Sequence, residues 1–145
     1  MAKDIFTEAQ QQQLRGAIQE AELNTSGELK IHIERKCIEE TLDRAAFVFE
    51  QLKMQETKLR NGVLIYLAID SKEFAILGDV GINQKVPEDF WNSTSLLMLE
   101  SFKDGDFVGG LIAGAKEAGL QLKAHFPYQK GDINELSDDI SFGKN

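Results

Sequence analysis

The sequence predicts an α/β fold: a three-layer α/β/α sandwich with a small mixed sheet, made of a parallel crossover unit plus one antiparallel hairpin strand, and helices on both faces. Three observations carry that prediction. Two apolar strand segments, Leu29 to Ile33 and Val63 to Ile69, are separated by a stretch of helical period, the spacing of a crossover between parallel strands. A third apolar run, Phe74 to Leu77, follows the second after only four residues, which leaves room for a hairpin alone. Helical periods also lie before and after the strands, so both faces of the sheet have cover.

The elements follow in order. Thr7 with Gln10 three positions later reads as a capping box, and Leu14, Ala17, Ile18 and Ala21 give a first helix over about 7 to 23. Asn24 to Gly27 break it. Leu29, Ile31 and Ile33 then alternate with Glu28, Lys30, His32 and Glu34, the pattern of a half-buried strand. A second helix rests on Leu42, Ala45, Ala46, Phe49 and Leu52, and Asn61-Gly62 marks the turn into the second strand. That strand is an unbroken apolar run of seven, so it belongs in the middle of the sheet with both faces covered. Gly78 to Val86 has no sustained period and reads as a long loop. Pro87, followed by Glu88 and Asp89, suits the first turn of a third helix, with Phe90, Trp91, Leu97, Met98 and Phe102 on its apolar surface. Asp106 is placed to cap a last helix that ends near Phe126-Pro127. Gly110, Gly114 and Gly119 inside that helix imply a close backbone approach to a neighbour.

Composition bounds the rest. With 145 residues, 42% apolar and 28% charged, the chain fits one ordinary domain over 1–127, followed by an acidic tail over 128–145 that is expected to be flexible; Ile133, Leu136, Ile140 and Phe142 in it are able to dock on a groove. Sixteen basic against 24 acidic residues give a formal charge of −8, which disfavours nucleic acid and anionic membrane surfaces and favours cations or basic partners. One cysteine, Cys37, precludes an internal disulfide, and the first residues hold no apolar run of signal-peptide length, so a cytoplasmic location is expected. The absence of a heptad seam favours a monomer.

Three stretches together carry a family signature: Thr25-Ser26-Gly27-Glu28-Leu29 entering one strand, Arg60-Asn61-Gly62-Val63-Leu64 entering the next, and Phe102-Lys103-Asp104-Gly105-Asp106-Phe107 opening the last helix. Over about residues 7 to 127 the chain resembles the TPM domain, a family with thylakoid lumen, photosystem repair and receptor-regulating members, and within it the compact cytosolic single-domain branch. Where many members have a glycine-aromatic-glycine element, this chain has Gly78-Asp79-Val80-Gly81. The resemblance implies an α/β/α sandwich, divalent-cation binding in some members, an acid phosphatase activity in plant relatives, and roles in assembly or repair of membrane complexes. Its implied partners are membrane-associated proteins or helical segments, none of which the sequence identifies.

The predicted strand order brings Glu28, Asn61 and Asp79 to one edge of the sheet. Their oxygens are of the kind that Ca²⁺ and Mg²⁺ prefer. Asp104 and Asp106 form a second acidic pair on a tight turn, and whether they join the first depends on the path of the 78–86 loop. The set Glu28, Asp79, Asp104 and Asp106 is therefore the expected Ca²⁺ or Mg²⁺ site. Each also has a plain structural role available: Asp106 as a helix cap, Asp104 as a turn residue, Glu28 as a solvated carboxylate at the start of a strand, and Asp79 as an acceptor for loop amides. A metal-dependent phosphomonoesterase is the alternative, with Asp79 or Asp104 holding the metal and Arg60 or Lys103 meeting the anion. No Walker loop, Cys-x5-Arg loop or HExxH helix supports catalysis. His32 reads as an outward strand residue, His125 as a helix-end residue, and Cys37 as a non-catalytic thiol. Trp91 reads as core, or as an aromatic anchor for a protein partner beside the 80–86 loop.

Overall fold

A computed structural model describes residues 2–128 and 136–143. Helix α1 (Glu8–Glu22) begins at Thr7, whose hydroxyl accepts from the Gln10 amide at 3.1 Å while the Gln10 side chain accepts from the Thr7 amide at 2.9 Å. Strand β1 (Glu28–Glu34) leads to α2 (Thr41–Gln51), and β2 (Gly62–Ala68) pairs parallel to β1 with Glu28 opposite Gly62 and Glu34 opposite Ala68. Strand β3 (Glu73–Gly78) returns antiparallel along β2. All seven residues of β2 are buried, as a central strand requires.

Each face of the sheet has its own core. Leu29, Ile31, Ile33, Val63, Ile65 and Leu67 pack with α1 and with α5 (Phe107–His125), while Leu64, Tyr66, Ala68 and Ala75 pack with α2. The helix α4 (Asn92–Lys103) lies beside α5. A methyl group at Gly114 would lie 2.5 Å from Met98 Sδ, and one at Gly119 would lie 2.8 Å from the Ala21 Cα. These contacts let α5 approach both α4 and α1, and they offset the intrinsic cost of glycine in a helix.

Two expectations are corrected. The 78–86 loop contains a short helix, α3 (Val80–Asn83), because Asp79 caps it by accepting from the Val80 amide at 2.8 Å. The third predicted helix starts at Asn92 instead of Pro87: Phe90 N–H bonds Pro87 C=O and Asn92 N–H bonds Asp89 C=O, so 87–91 is a chain of turns. The described part of the tail adds a strand to the sheet. Ser141–Phe142 form β4, parallel to β1, and the sheet order is β3-β2-β1-β4. Ile140 is buried, and Arg15 Nε donates to Asp139 at 2.8 Å. The docking that isolated apolar residues allow thus holds for Leu136, Ile140 and Phe142, while Ile133 lies outside the described residues.

Candidate functional site

The chemistry gathers at the two ends of β1. At its start, Thr25 donates its hydroxyl proton to the Phe126 carbonyl and its Oγ accepts from the Gly27 amide at 3.0 Å, which ties the end of α5 to the loop before the strand. Glu28 is only 2% exposed, so it is not the solvated carboxylate that strand alternation suggests. Its amide donates to the Asn61 carbonyl at 3.3 Å, which sets Asn61 beside it at the entry to β2. Asn61 is 1% exposed; its Nδ2 reaches Ser26 Oγ at 3.5 Å, and its Oδ1 has no hydrogen-bond partner among the described residues.

Asp79 reaches the same edge, as its amide donates to the Gly62 carbonyl at 2.9 Å. Its carboxylate is engaged. Arg60 donates to it through Nε at 2.7 Å and Nη2 at 2.9 Å, a bidentate pair that carries direction as well as charge. Arg60 adopts a left-handed φ of 52°, and the Gly81 amide donates to its carbonyl at 2.9 Å. A methyl group at Gly81 would fall 2.2 Å from the Leu59 carbonyl oxygen, so the 78–81 and 59–62 segments join only with glycine there. Arg60-Asn61-Gly62 and Gly78-Asp79-Val80-Gly81 are thus the two halves of one joint.

Asp104 and Asp106 lie elsewhere. Phe90, just before α4, packs its ring 5.3 Å from that of His125 at the end of α5, so the two helices run antiparallel and the Asp104-Gly105-Asp106 turn is at the opposite end. Nineteen residues of α5 span about 28 Å. Both carboxylates are exposed, and Asp106 Oδ1 caps the helix by accepting from the Gly109 amide at 2.9 Å. The structure therefore brings Glu28, Asn61 and Asp79 together and leaves Asp104 and Asp106 apart. Among the described residues no three His, Cys, Asp or Glu side chains are arranged to hold a metal ion.

A different carboxylate approaches the start of β1. Glu22, on the last turn of α1, accepts from the Leu29 amide at 2.8 Å. Burial, and then the adjoining Asp138 of the tail, hold its carboxyl well above the usual carboxylate range, and the charge of Glu28 adds to the shift. Lys30 crosses the same region to donate to the Ser137 carbonyl at 3.1 Å, and burial lowers its pKa. Strand alternation places Glu28 and Lys30 on one face but says nothing of Glu22 or Asp138, which arrive from the ends of the chain.

The other end of β1 holds a second network that the sequence does not announce. Glu34 has no exposed side-chain surface. Burial opposes its charge, but hydrogen bonds from His32, Arg44 and Tyr66 outweigh it and bring its pKa to about 2. Arg44 donates through Nε and Nη2, each at 2.9 Å, and the Tyr66 hydroxyl donates as well. His32 is 6% exposed, so it is not the outward residue that its strand position suggests. Its Nε2 is 3.1 Å from Glu34 Oε1, its Nδ1 is 2.7 Å from Ser141 Oγ, and its ring stacks on that of Tyr66 with centroids 5.9 Å apart.

This architecture has relatives. The TPM domain family model matches residues 2–121. No curated protein shows a significant match. Among solved structures, BA42 from the psychrophilic bacterium Bizionia argentinensis is 45% identical, with 96% of each chain covered and a TM-score of 0.90. Two more distant structures share the fold. The N-terminal domain of cg2496 from Corynebacterium glutamicum is 9% identical, covering 91% of this chain and 82% of that one, with a TM-score of 0.67. The N-terminal domain of a P. gingivalis protein is 17% identical, covering 84% and 79%, with a TM-score of 0.68. Among the described residues no helix is long and apolar enough to cross a membrane. The matched span takes in both strand-start motifs, the joint they form and the Asp104-Gly105-Asp106 turn, and on that match the chain belongs to the TPM domain family.

Proposed function

We propose that this TPM domain binds a divalent cation, Ca²⁺ or Mg²⁺, at the start of β1 and presents the adjoining surface to a protein partner. The observation that carries the reading is Asn61 Oδ1, a buried amide oxygen without a hydrogen-bond partner among the described residues, in a residue whose backbone carbonyl accepts from the amide of the buried Glu28. An unsatisfied buried oxygen costs about 1–3 kcal/mol, and a hard cation with oxygen ligands would relieve it. Glu28 and Asn61 are the ligands, waters complete the shell, and Asp79 is a positioning residue held by Arg60. With so few protein ligands the affinity falls in the weak range of oxygen-ligand sites.

The partner surface lies next to this loop. Leu23 and Leu120, 68% and 55% exposed, flank a groove of about 450 Å³ between α1 and α5 that also presents Lys116 and Lys123. A phosphomonoesterase needs a cation free to meet the anion, and Arg60 is already committed to Asp79, so no observation favours that alternative.

Titration of metal-free protein with Ca²⁺ or Mg²⁺, followed by backbone amide shifts, tests the reading. Shifts are expected at Ser26 to Glu28 and at Asn61, and they should be lost in Glu28→Gln. Shifts confined to 103–107 would assign the cation to Asp104 and Asp106 instead, and no shifts at millimolar metal would remove the site altogether.

A further inference from the structure

Where β4 meets β1, three side chains stand in the order hydroxyl, imidazole, carboxylate. Ser141 and His32 are direct partners in the parallel register, with Ser141 Oγ 2.7 Å from His32 Nδ1. His32 and Glu34 share a face of β1, with Nε2 3.1 Å from Glu34 Oε1. The carboxylate determines which ring nitrogen bears hydrogen. Glu34 is buried, accepts from Arg44 and Tyr66 and has no proton of its own to donate, so the nitrogen facing it must carry the N–H. In the neutral ring the free lone pair is then on Nδ1, and Ser141 must donate its hydroxyl proton to it.

That is more specific than an anchor for the tail requires. Any donor and acceptor would pin Ser141, whereas here a buried anion selects the one tautomer able to take the serine proton, and stacking on Tyr66 orients the ring. The base is almost fully buried, while Ser141 keeps part of its surface in solvent.

We propose that Ser141 is an activated nucleophile that accepts the acyl group of small esters, with His32 as its general base and Glu34 as the positioning residue for His32. Ser141 Oγ bonds to the acyl carbonyl carbon as its proton passes to His32 Nδ1. The carbon–oxygen bond to the leaving group breaks, and the leaving alkoxide takes that proton from Nδ1 and departs as an alcohol. Water then attacks the acyl-serine by the same route, which releases a carboxylic acid and restores the Ser141 hydroxyl. The Gly143 amide is committed to the Ile33 carbonyl at 2.9 Å and does not serve the oxyanion, so esters with good leaving groups react best.

The test uses the full chain with a fluorophosphonate probe and with p-nitrophenyl acetate, read by peptide mass mapping and by p-nitrophenolate release. One adduct per chain is expected on Ser141, with p-nitrophenolate release that falls roughly 100-fold in Ser141→Ala. His32→Gln separates reactivity from anchoring, because the amide oxygen still accepts from Ser141 but cannot carry its proton away. Labelling should be lost in that variant while hydrogen exchange across 136–143 stays protected. Should His32→Gln release the tail, Ser141→Cys in a Cys37→Ser background provides the deciding measurement. A thiol beside His32 should alkylate at least about tenfold faster at pH 7 than an ordinary cysteine. No adduct on Ser141, equal labelling in a folded His32→Gln protein, or an ordinary alkylation rate each overturns the proposal.

Discussion

The two ends of β1 each bury a carboxylate, and they resolve the problem in opposite ways. Glu34 is surrounded by donors: two guanidinium nitrogens of Arg44, the Tyr66 hydroxyl and a ring nitrogen of His32. Its charge is stabilised, and its pKa falls to about 2. Glu22 has one backbone donor, Leu29, and faces a second carboxylate, Asp138, with Glu28 close enough to add to the repulsion. Its charge is penalised. At the first end the carboxylate charge is fully compensated by donors, and at the second it leaves unspent potential for a proton or a cation.

The largest effect is expected at the satisfied end. Glu34→Ala removes the acceptor shared by Arg44, Tyr66 and His32 and leaves their donors facing a cavity, and breaking a buried ion pair from one side costs about 3–5 kcal/mol. Chemical denaturation should show that loss. Glu28→Ala should cost clearly less, and equal losses would mean that the two ends do not differ in the way their partners indicate.

Acid gives the next effect. A carboxyl whose folded pKa lies below its unfolded value contributes stability above the unfolded value and loses it as pH falls through the folded one. For Glu34, dropping from 4.5 to about 2, that contribution amounts to about 3 kcal/mol, present at neutral pH and lost between about pH 5 and 2. Melting curves over that range should show the decline, and Arg44→Met should reduce it because less of the shift then remains.

The tail links the two ends, since Asp138 meets Glu22 and Gly143 lies over Glu34. A methyl group at Gly143 would sit 2.6 Å from the Glu34 Cβ and 2.7 Å from its Oε1. Gly143→Ala should therefore destabilise by about 1–2 kcal/mol, as overpacking does, and should expose the amides of 136–143 to exchange before the rest of the chain. Unaltered protection of those amides would show that β4 docks independently of Glu34.

Local patterns foretold most of the fold and only part of the chemistry. The capping box at Thr7 and Gln10, the apolar run of β2, the hairpin to β3 and the Asp106 cap are all written within a few neighbouring positions. The strand order likewise brought Glu28, Asn61 and Asp79 to one edge. The Glu34 network was invisible because its members come from β1, α2, β2 and the tail, and because strand alternation reports a polar face without reporting that another layer covers it. His32 therefore reads as an outward residue. A two-residue strand such as β4 is also shorter than any period that could reveal it.

The smallest effect has the opposite sign from the first. Glu22 carries a folded pKa above its unfolded one, so its protonated form is the one that folding favours. Stability from this group is full below the ordinary carboxylate pKa and declines as pH rises toward the raised value, because the unfolded chain ionises while the folded chain resists. At neutral pH Glu22 thus opposes folding. Glu22→Gln keeps an oxygen for the Leu29 amide and supplies a donor for Asp138, so it should raise stability at pH 7 by about 1 kcal/mol and flatten the decline from about pH 5 to 9. If a divalent cation occupies the start of β1, adding it should shrink the advantage of the glutamine variant, since the metal relieves the same repulsion in the wild type. A variant less stable than the wild type at pH 7 without metal would show that the Glu22 charge is already compensated, and that the two ends of β1 are alike after all.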